Sequence, residues 1–336
     1  MVIVCLADVT AFGIYMGFWF PEVPQWLWVL GIVMLICGLN LCNVKVFGEM
    51  EFWLALIKIV AIGAMIVGGT VILFLGVKMN GEHASGLSNL WSHGGFLPHG
   101  VGGLVASFAV VMFAYGGVEI IGITGGEAQN PDKVIPKAIN AVPARILLFY
   151  VLAIFIIGVL VPYTDPNLLS TDVANIGVSP FTLVFKHAGL AFAAGLMNAV
   201  ILTAVLSAGN SGMYASTRML YNLATEGRAP RIFAQLTRNG VPRNALLATT
   251  AVGALCFLSS LYGDKTVYLW LLNTSGMTGF VAWLGIAISH YRFRKGLVAQ
   301  GHDPAQLPYR SKFFPYGPLF AFGLCLVITL GQNYQA

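Results

Sequence analysis

Charge is what this chain has least of. Asp, Glu, Lys and Arg together make up 9% of its 336 residues, against 57% hydrophobic. Water-soluble domains carry about 25% charged residues, so a large soluble globule is excluded and an integral membrane protein is indicated. The five cysteines, Cys5, Cys37, Cys42, Cys256 and Cys325, lie in or at the ends of apolar runs, without metal-type spacing. They offer no disulfide framework and read as small buried hydrophobes. No Walker sequence is present for ATP, and no GxSxG elbow or HExxH helix for hydrolysis. The glycine clusters fall inside apolar runs, which excludes a dinucleotide loop. No basic segment precedes the first apolar run and no cleavage site follows it, so a signal peptide is not expected. Both ends also lack polar flanks, and a fragment cut inside a larger bundle is expected.

What is present is a series of apolar runs of the length a bilayer demands, about 20 residues each. Nine occur, at about 1–20, 26–43, 53–76, 101–125, 144–163, 188–213, 244–262, 267–290 and 316–333. With residue 1 placed in the cytoplasm, inside loops and helix ends hold 14 of the 18 basic residues. The outside loops hold only Lys78, Lys186 and Lys265, and Lys58 lies within a span. That asymmetry sets the N-terminus inside and the C-terminus outside. The net charge of +5 therefore belongs to a cytoplasmic membrane face and not to a nucleic-acid surface. The expected architecture is an all-α integral membrane protein, with residues 1–336 forming one transmembrane domain. The connector 214–243 is expected to run along the cytoplasmic surface with Leu220, Leu223, Ile232 and Phe233 turned inward. Pro131 and Pro136 are expected to shape a tight inside loop.

The segment Met112–Glu127, MFAYGGVEIIGITGGE, interrupts an apolar run with Gly116-Gly117 and carries Glu119 just beyond. A carboxylate at such depth is costly and marks a functional site by default. A helix unwound at a glycine pair exposes backbone groups to a polar ligand, as in the midplane sites of secondary transporters. Glu119 either holds the unwound backbone open, binds a proton or faces that pocket, or else only satisfies freed amides or the hydroxyls of a neighbouring helix. Phe113 and Tyr115 either wall the pocket or pack. Lys58, in EFWLALIKIVAIG, lies seven residues beyond Glu51, about 10 Å along a helix. It either snorkels to the surface or changes protonation state and acts as a bound cation that comes and goes. Ser207, Asn210 and Ser211 in a small polar patch either serve helix packing or line a permeation path. Glu127 and Arg218, near inside helix ends, form a candidate gate. His83, His93 and His99 share an outer loop but lack partners at ligand spacing, so no metal site is expected.

Three segments carry a resemblance: MFAYGGVEIIGITGGEAQNPDKVIPKAI (112–139), NVKVFGEMEFW (43–53) and LSAGNSGMYASTRML (206–220). In this order they resemble the amino acid permeases of the amino acid–polyamine–organocation superfamily, over essentially the whole chain. The resemblance implies a five-plus-five inverted-repeat transporter fold of twelve helices, truncated here to about nine, family helices 3 to 11. Helix 1, whose glycine-rich break meets the substrate in the family, would be missing, as would helices 2 and 12. It places Tyr115, Gly116, Gly117 and Glu119 on the substrate-facing break of helix 6, Lys58 on helix 5 and Asn210 and Ser211 on helix 8. Lys58 would take the place of a sodium ion. Alternating access, with one amino acid and one proton moving inward together across a bacterial inner membrane, is the mechanism implied, with no cofactor. From about Val161 onward the chain resembles lysine-specific permeases, and the earlier stretch resembles proline and aromatic permeases. Asp165 and Asp172 in an outer loop either attract a cationic substrate through the field of the entrance or are ordinary solvated loop acids. Two other classes stay open: an embedded enzyme using Glu119 with Lys58 as its second group, and a permease-like scaffold or sensor that does not transport.

Overall fold

The computed structural model describes residues 1–42, 44–75, 78–79, 83–84, 86–92, 94–169, 179–187, 191–253, 264–307, 309–311 and 313–331. It is helical almost throughout. The principal elements are α1 (Val2–Met16), α2 (Gln25–Leu41), α3 (Val44–Phe74), α4 (Gly100–Ala114), α5 (Ile120–Thr124), α6 (Pro131–Leu160), α7 (Pro180–His187), α8 (Ala191–Thr225), α9 (Arg243–Gly253), α10 (Asp264–Ala299) and α11 (Tyr316–Leu330). A two-residue antiparallel ribbon pairs Lys78–Met79 with His83–Ala84 in the loop after α3. Among the described residues, Val44–Phe74, Pro131–Leu160 and Gly195–Thr225 are long and apolar enough to cross a membrane, and α1, α2 and α11 are shorter apolar helices.

Each expected run overlaps a helix, with 254–262 outside the described residues, and several boundaries shift, three of them with a clear cause. α3 starts at Val44 rather than at 53, because its first turns carry Lys45, Glu49 and Glu51, good helix formers that an apolar window passes over. α6 starts at Pro131 rather than at 144. The tight loop is Gly125–Asn130, where Asn130 takes a positive φ of 53°. Pro131 then opens the helix at the position where its missing N–H costs nothing, so the two prolines lie in the helix rather than in the loop. A π-helical segment at Leu147–Leu152 follows Pro143 within α6. α8 runs on to Thr225 instead of ending at 213, and Gly227, with φ 75°, terminates it. Residues 214–225 therefore continue α8 as helix rather than forming a separate connector. Leu223 and Ile232, expected to turn inward, are 44% and 54% exposed.

The chain divides into two compact units, Met1–Phe96 with Pro143–Leu272, and Leu97–Val142 with Asn273–Ala336. In the first, one buried cluster joins Cys5, Leu6 and Val9 of α1, Val29, Ile32, Val33 and Ile36 of α2, Met213 of α8 and Leu246 of α9. A second joins Met65 of α3 with Ala153, Ile156 and Leu160 of α6 and Val184 of α7. α3 shows why: Phe47, Glu51, Lys58, Met65 and Gly69 recur at helical spacing on the less exposed side, while Val60, Val67 and Phe74 are exposed on the other. Apolar residues outside and polar ones inside are the arrangement a lipid solvent favours. In the second unit, α4 meets α11.

Small residues set the helix separations. A Cβ added at Gly69 would stand 2.5 Å from Ile156 Cγ2, and one at Gly209 would stand 3.3 Å from Ile36 Cδ1 and 3.6 Å from Asp8 Cβ. Close backbone approach of this kind is how helices associate where lipid removes the hydrophobic drive. Gly69→Leu is expected to destabilise the first unit by about 1–3 kcal/mol through overpacking, seen as a lower melting temperature in detergent.

Candidate functional site

Two polar constellations stand out, one in each unit. In the second unit, α4 ends at Ala114 and the chain turns through Tyr115–Val118 before α5 resumes at Ile120. Gly117 adopts φ 99°, a conformation L side chains rarely take, so glycine is required there. Glu119 closes the break: its Oε2 accepts from the Gly117 N–H at 3.1 Å and from Trp283 Nε1 of α10 at 3.4 Å. The observed contacts are those of a carboxylate that satisfies a freed amide. Tyr115 is half-buried and Gly116 exposed. Phe113 lies in α4, and its side chain is outside the described part. Glu127 ends the short 3₁₀ turn after α5 and is exposed.

In the first unit, α3 and α8 run antiparallel and are stitched by a polar seam. Lys58 Nζ donates to Ser207 Oγ at 2.8 Å, and Ser207 Oγ donates to Glu51 Oε2 at 2.5 Å. Asn210 Nδ2 donates to Glu51 Oε1 at 2.8 Å, and Asn40 Nδ2 of α2 donates to Asn210 Oδ1 at 2.8 Å. One turn on, the Phe47 and Tyr214 rings stack at 4.0 Å between centroids, and the Arg218 guanidinium carbon lies 3.4 Å from the Tyr214 ring centroid. Lys58 therefore does not snorkel. Its ammonium points into the bundle, where the charges of Glu51 and Asp8 act on it. Among the described residues, the buried Oδ2 of Asp8 on α1 has no hydrogen-bond partner, and Asn40 Oδ1 is likewise unpaired. Ser211 adjoins the seam on α8, half-buried. Arg218, expected near an inside helix end as a gate charge, is 8% exposed.

Three seam residues escaped the sequence reading. Asp8 sits inside the first apolar run and should have been flagged by the same rule that singled out Glu119. Lys58 is accordingly not the only ionisable partner available at depth. Glu51 served only as a ruler for Lys58, since the run began two residues later. Asn40 carries no signal of its own, because one amide in an apolar helix is common. Of the loop histidines, His93 lies outside the described residues, as do Asp172 and Cys256.

Replacing Gly117 with alanine is expected to cost about 1–3 kcal/mol for a side chain forced to a positive φ, read as a lower melting temperature. Asn210→Leu is expected to lose about 1–3 kcal/mol, because Glu51 Oε1 loses its donor and Asn40 its acceptor. The same melting assay checks it, with Asn210→Gln as the milder comparison.

The family model for amino acid permeases matches residues 1–336. Lysine-specific permease LysP of Escherichia coli (strain K12) is 59% identical over 335 residues, 98% of this chain and 67% of that protein. Lysine-specific permease LysP of Lactococcus lactis subsp. cremoris (strain MG1363) is 46% identical over 333 residues, covering 97% of this chain and 64% of that protein. Aromatic amino acid transport protein AroP of Escherichia coli (strain K12) is 42% identical over 300 residues, 89% of this chain and 63% of that protein. The chain thus spans about two thirds of the length of these relatives. An apolar helical bundle with a broken helix, matched from end to end by one family model, belongs to the amino acid permease family, multi-pass transporters of the cytoplasmic membrane and not enzymes.

Proposed function

We propose that the protein takes up lysine together with a proton by alternating access, with residue 1 on the cytoplasmic side. The observation that carries the substrate is the 59% identity to the Escherichia coli lysine-specific permease across 98% of the chain. The Lactococcus relative, also lysine-specific, supports it at 46%. In this reading the break around Phe113, Tyr115, Gly116, Gly117 and Glu119 meets the amino acid, Ser211 is a further substrate contact, and Asn210, already bonded to Glu51 and Asn40, serves the site by positioning Glu51. An unwound helix presents backbone N–H and C=O groups, which suit the carboxylate and amino group common to every amino acid. Glu119 and Lys58 take part in proton coupling, and Glu127 and Arg218 act at the inner gate. Lys58 suits its part because an ammonium hydrogen-bonded to a serine and flanked by carboxylates occupies the bundle as a cation would, and vanishes as one on deprotonation. Residues 1–336 belong to a single transmembrane transporter domain, and the field at the outer loop, Asp165 and Asp172 included, favours a cationic substrate.

Labelled lysine uptake into transporter-deficient cells, from the full reading frame, tests this. Uptake should be faster in acid than at neutral pH and should be blocked by excess lysine but not by proline or phenylalanine. Lys58→Ala should abolish the acid stimulation. Inhibition by phenylalanine or proline would instead favour the neutral and aromatic reading, which the 42% identity to AroP keeps in view. No uptake of any amino acid would favour a scaffold or sensor.

A further inference from the structure

The proposed coupling leaves one thing unassigned: where the proton on Lys58 goes when the ammonium discharges. Only two carboxylates act on Lys58 among the described groups, Glu51 and Asp8. They are placed very differently. Asp8 Oδ2 is buried without a hydrogen-bond partner among the described residues. Glu51 is joined to Lys58 through a single hydroxyl: Ser207 Oγ accepts from Lys58 Nζ at 2.8 Å and donates to Glu51 Oε2 at 2.5 Å. Donor, relay and acceptor are thus already aligned in the direction a proton would travel.

The position of Glu51 along the membrane supports the same direction. It lies seven residues before Lys58, about 10 Å nearer the start of α3. That end carries Lys45 and Glu49, both exposed, and the neighbouring end of α8 leads to Arg228 and Arg231, also exposed. Basic helix ends of this kind face the cytoplasm. Glu51 itself is half-buried, between the interior and that exposed rim.

We propose that Glu51 is the proton acceptor for Lys58, reached through Ser207, and the group that releases the proton on the cytoplasmic side; this rests on the proton-coupled reading above. In the step, Lys58 gives a proton to Ser207 Oγ while the serine gives its own to Glu51. The ammonium and carboxylate become a neutral amine and a carboxylic acid, and the serine hydroxyl is restored. Glu51 then loses the proton to water and returns to a carboxylate. Asn210, donating to Glu51 Oε1 at 2.8 Å and held in turn by Asn40, fixes the carboxylate so that Oε2 stays on the serine. Asn210 and Asn40 are positioning residues in this step. Of the charges near the seam, Asp8 on α1 and Glu51 act on Lys58, and Arg218 on α8 lies over the Tyr214 ring. α2 presents only the neutral Asn40 at the seam.

The test uses the full-length protein in proteoliposomes with an imposed proton gradient, measuring gradient-driven lysine accumulation and lysine-for-lysine exchange side by side. Glu51→Gln keeps the shape and an acceptor for Asn210 but cannot take a proton. Accumulation is expected to fall on the order of a hundredfold, the low end for losing a proton-transferring group, with exchange reduced far less. Ser207→Ala should behave alike, and Glu51→Asp should recover part of the response to the gradient. Gradient-driven accumulation intact in Glu51→Gln would overturn the proposal, as would an equal loss of exchange and accumulation in folded protein, which marks a structural role. A loss of coupling in Asp8→Asn with none in Glu51→Gln would assign the acceptor to Asp8 and overturn it also. If the unsubstituted protein accumulates lysine without responding to the gradient, the coupled reading itself fails, a result distinct from any outcome in the variants.

Discussion

A lysine cannot sit charged in a lipid-surrounded bundle unless something nearby answers its charge and its hydrogens. That constraint organises the first unit. Lys58 needs an acceptor, which Ser207 supplies from α8, and a counter-charge, which Glu51 supplies from its own helix. Glu51 in turn needs donors, and the second comes from Asn210, backed by Asn40 of α2. Meeting these needs fixes the register of α3 against α8 and ties α2 to both. The Phe47–Tyr214 stack and the Arg218 cation over Tyr214 continue the same antiparallel register with groups that do not require a shared proton.

The glycines of α8 follow from the seam. Side chains as short as serine and asparagine bridge two helices only if the backbones come close. Gly209 and Gly212 provide the room, the first against Asp8 and Ile36, the second against Cys5 and Met1. The SAGNSG patch thus has two duties at once: its glycines bring α1 and α2 to α8, and its polar side chains hold α3. Packing and permeation were opposed readings of that patch, yet in the structure Ser207 and Asn210 are buried hydrogen-bonding groups within a tightly approached helix.

The break in the second unit obeys the same rule by other means. Unwinding at Gly117 frees backbone groups, and in a bundle each must be answered. Glu119 answers the Gly117 N–H two residues back while Trp283 of α10 holds the carboxylate in place. A carboxylate already engaged by one amide and one indole keeps lone pairs to spare, so capping the break and meeting a ligand are compatible duties for it.

Hydropathy and the distribution of lysine and arginine determined, without any coordinates, that the chain is a helical membrane protein, about where its spans lie, and that one span breaks at Gly116-Gly117. Local chemistry suffices for these, because the bilayer imposes a length and glycine permits a conformation. Helix ends were less legible: Glu49 and Glu51 in α3 and the polar face of residues 214–225 in α8 lower the apolar signal without ending the helix. The partners were not legible at all. Lys58 and Ser207 are 149 residues apart, and Glu51 and Asn210 are 159. No window of sequence contains such a pair, and only the antiparallel docking of α3 on α8 decided that the half-buried ammonium meets a serine and that the serine faces a carboxylate.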